Sequence, residues 1–430
     1  MRDVSRTLPE EILITGGSIY DPATGKSRKS DIGVKQGVLV APDAVQTDSA
    51  TSIDATGCII THGLIDIHVH FREPGREDKE NLQTGARAAL AGGFTRVCMM
   101  PNTNPPIDSP EVVRSLLEKG ADLPVQINVI GAITREQKGV ELAELLEMYA
   151  AGVVAFSDDG MPVENGQVLR NALLYARDLG IPIINHAEDT HLRADGVVNQ
   201  GALSTRLGLP GNPVEAEASM IHRDLLLAGE TDARLHVPHV STALAVELIR
   251  KFKGQGVRVT AEATPHHLGL TEDTLTGFNT NAKVAPPLRA EKDRQAIVAA
   301  LVDGTIDCIA TDHAPHTVDE KEHDMINAPF GMIGLDSAVG MAFTVLRQAG
   351  LAVEQIIDLF TSGPAAVMGM ELTPIEEGAP VELVIINPDE NWTYGPEDIY
   401  SRSRNTPMLG MNFTGRVSAA ITSKGWFCRS

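Results

Sequence analysis

The chain has 430 residues, of which 43% are hydrophobic and 22% charged, an ordinary composition for a folded globular protein. Its formal net charge of −21 argues against a nucleic-acid partner, which requires a basic surface, and against docking on anionic membranes. An anionic small molecule is compatible with this charge if metal ions or arginines make its site locally positive.

The cysteines and the N-terminal segment bear on location. Cys58, Cys98, Cys308 and Cys428 lie far apart, which fits a reducing compartment and excludes a cysteine zinc cluster. The first residues contain no apolar core of signal length, and no stretch of the chain approaches 18 apolar residues. We therefore expect a cytoplasmic protein without a membrane segment.

Both ends of the chain have a β-rich character. Residues 1–60 contain short β-like runs punctuated by Gly and Asp, such as EILITGGSIYD, SDIGVKQGVLV and TSIDATGCIIT. Residues 371–430 repeat this pattern in APVELVIINP and GRVSAAITSKGWF. We expect the two ends to pair with each other and form one small β-sandwich domain.

The middle of the chain, residues 61–370, alternates short apolar runs with longer amphipathic ones. Eight runs are strand-like: Leu64–Phe71, Thr95–Met100, Val125–Ala132, Val153–Ser157, Pro182–His186, Arg234–His239, Val257–Ala263 and Asp307–Thr311. Helix-like runs such as ENGQVLRNALLYARDLG separate them, with Asn near the start and Gly at the end. This alternation predicts an α/β fold, and eight strands predict a TIM (β/α)8 barrel.

The first of these runs ends in an unusual pattern, DIHVHFREPG. His68, His70 and Arg72 occupy alternate positions, where a half-buried strand would carry apolar side chains on one face. The pattern fits either a solvated edge strand or a strand that ends in a site requiring two imidazoles and a cation.

Other predicted strands also end in polar residues. In a TIM barrel the active site lies at the carboxyl ends of the strands, so these residues would meet there. After strands one, two, four, five, six and eight, they are His68, His70, Arg72, Asn102, Asp158, Asp159, His186, His239, Asp312, His313 and His316.

The residue types at these strand ends indicate a metal centre. Neutral imidazoles and carboxylates are the usual ligands of zinc and related divalent ions. Four histidines and two aspartates exceed what one catalytic metal with an open position needs, and they suit two metals about 3.5–4 Å apart. Isolated histidines are more often structural, so we assign that role to His62, His191, His222, His236 and His323, and we leave His266 and His267 undecided.

The motifs around these residues resemble those of the cyclic amidohydrolases, and closely those of the type I (bacterial) dihydroorotases. The matching segments are GLIDIHVHFREPG, GGFTRVCMMPNTNPP, AFSDDG, NHAED, HVPHVST, VTAEATPHHLGLT and IDCIATDHAPHT, between residues 63 and 317. The β-like ends of the chain fit the composite sandwich of that family.

The resemblance implies a role for each matching residue. His68, His70 and Asp312 look like ligands of a first zinc ion, His186 and His239 like ligands of a second, and Asp159 like the bridging carboxylate. Asp312 would also shuttle the proton between a metal-bridging hydroxide and the substrate. Substrate contacts would come from His70, Arg72, Asn102, His316, Phe330 and Gly331.

Two features concern the subclass. Hydantoinases, allantoinases and type II dihydroorotases bridge their metals with a carbamylated lysine after strand four, whereas residues 139–250 contain no lysine here. This favours type I, with Asp159 in the bridging position. The family usually has an asparagine before PPLR that touches the substrate, and Ala285 stands at that position in this chain.

The reaction implied by the resemblance is the reversible cyclisation of N-carbamoyl-L-aspartate to L-dihydroorotate in de novo pyrimidine (UMP) synthesis. The alternatives are an inactive scaffold for aspartate transcarbamoylase and a hydantoinase-like or allantoinase-like cyclic amidase. The implied partners are a small anionic substrate, two zinc ions, a second copy of the chain in a homodimer, and a transcarbamoylase. The sequence leaves the oligomeric state, the transcarbamoylase association and the occupancy of both metal sites open.

Overall fold

The computed structural model describes residues 4–5, 8–46 and 48–429. At its centre, eight parallel strands each pair with the next along the chain. They are Leu64–Val69, Phe94–Met99, Gln126–Ala132, Val153–Ser157, Ile183–Ile184, Leu235–Val237, Val259–Ala263 and Cys308–Ile309. A parallel bridge between Val69 and His313 joins the first strand to the segment that follows the eighth strand and brings the two ends of the sheet together. The predicted α/β fold with an eight-stranded barrel is confirmed.

Helices separate these strands and cover the barrel. They are Leu82–Ala91, Pro110–Gly120, Leu145–Ala151, Gly166–Leu179, Thr190–Arg193, Ala202–Leu207, Val214–Thr231, Ala243–Gly254, Pro265–Gly269, Glu291–Val302, Val318–Lys321, Ala338–Gln348, Val353–Asp358 and Ser362–Met368. Short 3₁₀ turns occupy Pro42–Ala44, Arg135–Gln137, Glu272–Leu275, Thr280–Ala282 and Pro396–Asp398. None of the helices in the described ranges is long and apolar enough to cross a membrane.

Local sequence signals explain where these elements begin and end. The first two barrel strands are buried at every position, as parallel strands covered by helices should be. The predicted helix within residues 164–180 spans Gly166–Leu179, because the side chain of Asn165 accepts hydrogen bonds from Gln167 N and Val168 N at its start. Gly180 ends it with φ +76°, a backbone conformation that glycine adopts without steric cost.

The two ends of the chain form the remaining sheets. A seven-stranded sheet has the order Val4–Ser5, Gly425–Cys428, Asn412–Thr422, Glu382–Thr393, Ile59–His62, Ser18–Asp21 and Lys26–Lys29. A four-stranded sheet has the order Val38–Val40, Ile32–Lys35, Glu11–Thr15 and Thr51–Asp54, and a small ladder pairs Val198–Asn199 with Gly211–Asn212.

The larger sheet contains strands from both chain ends, with its three C-terminal strands lying side by side between N-terminal ones, and apolar side chains from both ends share one core. Ile60 pairs with Ile385 in an antiparallel ladder, and both are buried with Ile12, Ile14 and Ile421. The predicted sandwich built from both chain ends is therefore confirmed. The predicted domain limits at residues 60/61 and 370/371 stay a prediction.

Candidate metal centre and substrate pocket

Six imidazole and carboxylate groups meet at the carboxyl end of the barrel. His68 lies in the first strand and His70 directly after it, and the other four follow strands four, five, six and eight by two or three residues. None of the six exposes more than 7% of its surface. They are His68, His70, Asp159, His186, His239 and Asp312.

One half of this cluster contains both histidines of the first strand. Nε2 of His70 lies 3.0 Å from Oδ1 of Asp312, and Nε2 of His68 lies 3.6 Å from the same oxygen. The three ligand atoms of this group all lie within 4.8 Å of one another. The spacing brings two imidazole nitrogens and a carboxylate oxygen together around one position.

The other half contains the histidines that follow strands five and six. Nδ1 of His186 lies 3.0 Å from Nε2 of His239. Both nitrogens face Oδ1 of Asp159, at 3.5 Å from His186 and 3.4 Å from His239. This half therefore also offers two imidazole nitrogens and a carboxylate oxygen.

Asp159 stands between the two halves. Its Oδ1 faces His186 and His239, while its Oδ2 lies 3.4 Å from Nε2 of both His68 and His70. Burial disfavours a charged carboxylate here, but the imidazoles of His68, His186 and His239 outweigh it and hold the pKa of Asp159 well below its usual range. The carboxylate is thus ionised, with one oxygen directed to each pair of histidines.

The residues of this cluster fit a divalent metal ion. Nε2 of His68 and Oδ1 of Asp159 are buried without a hydrogen-bond partner in the described part of the chain, although buried polar atoms are normally paired. Imidazole nitrogens and carboxylate oxygens are the donors that zinc and related ions prefer. The donor set and its unpaired atoms therefore indicate a place for metal.

Backbone strain accompanies two of the candidate ligands. His239 has φ +36° and Asp312 has φ +48°, a region that side chains other than glycine rarely adopt. Such conformations cost free energy and occur where the surrounding structure holds a residue for function. At both strand ends the unusual backbone turns the ligand side chain into the cluster.

Glu262 is a residue of this centre that the sequence analysis missed. Its Oε1 lies 2.6 Å from Nδ1 of His68 and 3.3 Å from the backbone N of His239, while its Oε2 lies 3.0 Å from Nε2 of His236. A carboxylate that accepts the second ring N–H of a ligand histidine fixes the orientation of the ring. The signal available in the sequence was an acidic residue inside the seventh predicted strand, where apolar residues are expected.

A pocket of about 320 Å³ opens beside the cluster. Its lining includes five predicted substrate contacts, Arg72, Asn102, His316, Phe330 and Gly331, together with five candidate ligands, His70, Asp159, His186, His239 and Asp312. Glu188, Arg193 and Ala285 also line it. The structure thus brings every predicted site residue except the deeper His68 to the wall of one pocket.

Arg72 and Asn102 lie on one side of this pocket. The guanidinium of Arg72 donates to Pro315 O at 3.3 Å and forms no ion pair with a carboxylate in the described ranges. Burial lowers the pKa of Arg72 to about 10, which leaves it cationic at neutral pH. Oδ1 of Asn102 accepts from Nδ1 of His70 at 2.7 Å, so Asn102 also orients a candidate metal ligand.

His316 is held in one orientation beside Arg72, whose Nη2 lies 3.5 Å from Nε2 of His316. Its Nε2–H donates to Phe330 O at 2.8 Å, and its Nδ1 accepts from Nζ of Lys79 at 3.1 Å. Burial and the nearby cations Arg72 and Lys79 hold the pKa of His316 well below its usual range. The ring is therefore neutral, with a defined tautomer that fixes the carbonyl of Phe330.

The remaining polar residues at the strand ends have structural contacts. Asp158 accepts from Ile133 N at 2.8 Å and Thr134 N at 3.0 Å, which directs it away from its neighbour Asp159. His313 accepts from Gly334 N at 3.1 Å.

His266 and His267, whose roles the sequence leaves undecided, are both buried and have different contacts. His267 is bonded to Thr264 Oγ1 and Pro286 O, at 2.9 and 3.0 Å. Burial lowers the pKa of its neighbour His266 to about 4. Of the isolated histidines, His62 and His236 are buried, whereas His191, His222 and His323 are exposed.

Comparisons with known proteins agree with this architecture. A sequence profile of the family described as Dihydro-orotase-like matches residues 57–244. The dihydroorotase of Pelotomaculum thermopropionicum is 48% identical over 413 residues, covering 96% of this chain and 97% of that protein. The dihydroorotase of Syntrophotalea carbinolica is 46% identical over 414 residues, with the same coverage.

Solved structures show the same fold at lower identity. The L-hydantoinase (dihydropyrimidinase) of Arthrobacter aurescens superimposes with a TM-score of 0.81 at 24% identity, over 96% of this chain and 94% of that one. The dihydropyrimidinase of Brevibacillus agri gives 0.80 at 22% identity. The fold is that of these cyclic amidohydrolases, and the relatives at 46–48% identity show that the chain is an enzyme of this class. The identity to relatives along nearly the whole chain narrows the class: the chain belongs to the dihydroorotase family.

Proposed function

We propose that the chain is a type I dihydroorotase that interconverts N-carbamoyl-L-aspartate and L-dihydroorotate in de novo pyrimidine synthesis. The observation that carries the proposal is the position of Asp159, whose two oxygens face two separate histidine pairs beside a pocket that contains Arg72. The two relatives described above, each named dihydroorotase, support it along 96% of the chain.

In this proposal two zinc ions occupy the cluster. His68, His70 and Asp312 would hold the first, His186 and His239 the second, and Asp159 would bridge them. When bound, such a pair supplies a water molecule of lowered pKa as nucleophile and polarises the substrate carbonyl oxygen.

Asp312 is the proposed proton carrier. Burial disfavours its charge, but the imidazoles of His70 and His68 outweigh this and hold the pKa of Asp312 well below its usual range. An ionised carboxylate at this position can accept the proton of the attacking water and deliver it to the amide nitrogen that leaves when the ring opens.

The pocket wall would bind the substrate carboxylate. The Arg72 guanidinium offers the planar fork that a carboxylate accepts in two hydrogen bonds, and no described carboxylate of the chain already occupies it. Asn102 would add an amide donor, His70 and His316 would contact the bound molecule, and the backbone of Phe330 and Gly331 would face its ring. Ala285 supplies only a methyl group where the family usually has asparagine, so these other donors carry the polar recognition.

The alternatives receive less support. An inactive scaffold would not need six buried ligand-type residues arranged in two facing halves. A lysine bridge of the hydantoinase kind has no source, because Lys138 and Lys251 flank a lysine-free stretch that contains the fourth strand, Val153–Ser157. Homodimerisation, association with a transcarbamoylase and a cytoplasmic location stay predictions, and light scattering of the purified chain with and without a transcarbamoylase tests the first two.

The experiment that tests this function is an assay of the zinc-loaded protein in both directions. We expect it to interconvert N-carbamoyl-L-aspartate and L-dihydroorotate and to act far more slowly on hydantoin. Normal turnover in His68→Ala or Asp312→Ala would contradict the role of that residue, and faster turnover of hydantoin would favour the amidase alternative.

A further inference from the structure

Two buried lysines lie behind the pocket segment Phe330–Gly331. Lys283 exposes 1% of its surface, and its Nζ donates to Ile326 O at 3.0 Å and Ala328 O at 2.6 Å. The carbonyl of Lys283 also accepts from Gly331 N at 2.8 Å. One residue therefore binds the segment before Phe330 through its side chain and the segment after Phe330 through its backbone.

Lys321 makes a matching set of contacts from the other end of the same loop. It exposes 5% of its surface, and its Nζ donates to Pro329 O at 2.8 Å and Thr280 O at 3.0 Å. The carbonyl of Lys283 lies 3.5 Å from the same nitrogen. The two ammonium groups thus connect the backbone before Phe330 to residues 280–283.

Neither lysine is paired with a carboxylate in the part of the chain that the structure describes. Burying an ammonium group without a countercharge is costly, and backbone carbonyls replace only part of its hydration. Burial lowers the pKa of Lys283 to about 8, and burial together with the charge of Lys283 lowers the pKa of Lys321 to about 7. Both ammonium groups donate to backbone carbonyls of the loop before Phe330, so this desolvation cost is linked to the position of that loop.

The position of Lys283 and Lys321 relative to the pocket indicates their role. Phe330 and Gly331 line the pocket, whereas Lys283 and Lys321 stand behind them. Nζ of Lys283 lies 4.3 Å from the centroid of the Phe330 ring, a distance at which a cation and an aromatic face attract each other. The ring and the backbone that face the bound molecule are therefore held from behind by fixed donors.

We propose that Lys283 and Lys321 are positioning residues that hold the Pro329–Gly331 segment against the bound substrate. This inference rests on the proposed function only for the identity of the substrate. The two lysines also bring positive charge close to the pocket of a chain whose net charge is −21, which favours an anionic ligand.

The test compares Lys283→Met and Lys321→Met with the wild type. Methionine keeps most of the length and volume of the side chain but removes the donors and the charge. For each variant, KM for dihydroorotate should rise about tenfold while kcat changes less than about twofold, because the lost interaction acts through binding rather than on the reacting atoms. Bound zinc should be unchanged in both.

Lys253→Met is the matched control. Lys253 is a partly buried lysine whose Nζ lies 2.6 Å from Asp307, outside the pocket, and its loss should leave KM unchanged. Hydrogen exchange supplies a second measurement. Residues 322–331 should exchange faster in both methionine variants, and dihydroorotate should slow their exchange in the wild type.

The possible results distinguish failure of this inference from failure of the proposed function. Wild-type KM and wild-type exchange in a folded methionine variant would overturn the inference, as would a loss of zinc that accounts for the change in KM. If both variants fail to fold, hydrogen exchange of the wild type tests the inference. The inference is overturned if dihydroorotate does not slow the exchange of residues 322–331. A wild type that binds dihydroorotate without turning it over would refute the proposed function but not this positioning role.

Discussion

Glu262 joins the two halves of the metal cluster through one carboxylate. Its Oε1 contacts the ring of His68 in the first half and the backbone of His239 in the second, and His236 fixes the other oxygen. Because a ligand ring orients correctly only when its second nitrogen is held, this carboxylate should contribute to metal affinity without touching the metal.

We expect Glu262→Gln to lower zinc affinity about 10- to 100-fold, since glutamine keeps the shape of the side chain but loses its charge and one acceptor. Competition with a chromophoric chelator measures the affinity directly. Glu382→Gln is the control, because Glu382 also faces a buried imidazole, that of His62 at 3.4 Å, far from the cluster. Equal zinc affinity in the Glu262 variant and the wild type would contradict this role.

The residues at the strand ends show which parts of the site can be predicted from the sequence. The residue types at the strand ends predict that His68, His70, Asp159, His186, His239 and Asp312 lie together, because barrel geometry brings such positions together. The choice of Asp159 over its neighbour Asp158 depended on the family resemblance. Glu262 and Lys283 were missed because their roles depend on which carbonyls and rings pack against them, and sequence spacing does not encode that. The roles of the selected residues stay predictions.

At the scale of elements, the eight barrel strands lie where the apolar runs predicted them. Their continuous burial produces runs without alternation, which are easily recognised in the sequence. Their lengths were harder to predict: the fifth and eighth span only Ile183–Ile184 and Cys308–Ile309, inside longer predicted runs. The residues that follow each of these short strands turn into the loops that carry His186 and Asp312.

Arg96 links the β-sandwich to the barrel through hydrogen bonds. It lies in the second barrel strand, and its Nε and Nη2 donate to the two carboxylate oxygens of Glu382, at 2.8 and 2.7 Å. A third bond joins Nη1 to Glu371 O at 2.7 Å. The paired guanidinium and carboxylate link the barrel to a strand from the C-terminal end of the chain.

We expect Arg96→Met to lower the free energy of unfolding by about 3 kcal/mol, because it leaves the carboxylate of Glu382 largely buried without its partner. Urea unfolding followed by circular dichroism measures this change. Zinc content of the folded variant should be unchanged, since Arg96 lies away from the cluster. A decrease below about 0.5 kcal/mol, the size typical of surface substitutions, would show that the Arg96–Glu382 contact does not stabilise the link between barrel and sandwich.

At the scale of the whole molecule, a buried carboxyl group makes stability depend on pH. One oxygen of Asp336 accepts from Tyr400 N at 3.1 Å, and the other is buried without a hydrogen-bond partner in the described ranges. Burial raises the pKa of Asp336 from 3.8 to about 8 in the folded chain. The folded state therefore retains a proton that the unfolded state releases.

The sign of the effect follows from this difference. Below pH 3.8 the carboxyl is protonated in both states, and between pH 3.8 and about 8 only the folded state keeps the proton. The contribution of Asp336 to the free energy of unfolding should therefore fall as pH rises through this range. Asp336→Asn should remove this part of the dependence, so the variant should gain stability relative to the wild type between pH 5 and pH 8, as measured by urea unfolding. A constant difference across this range would contradict the assignment.

Cationic side chains lie in or behind the pocket wall of a chain whose net charge is strongly negative. The chain carries a net charge of −21, yet Arg72, Lys283 and Lys321 lie in or behind the pocket wall without a paired carboxylate in the described ranges. With this net charge, an anionic substrate can bind only where its site is locally positive. These three side chains supply part of the positive charge, and bound metal ions would offset the carboxylates of Asp159 and Asp312 in the same wall.

The central claim is that two metal ions bridged by Asp159 make this chain a dihydroorotase. Titration of the metal-free protein with zinc, with dihydroorotate turnover read at each addition, tests it most directly. Activity should appear with added zinc and reach its plateau at two zinc ions per chain, and Asp159→Asn should not reach it. Full turnover without zinc, or two bound zinc ions without turnover, would contradict the account.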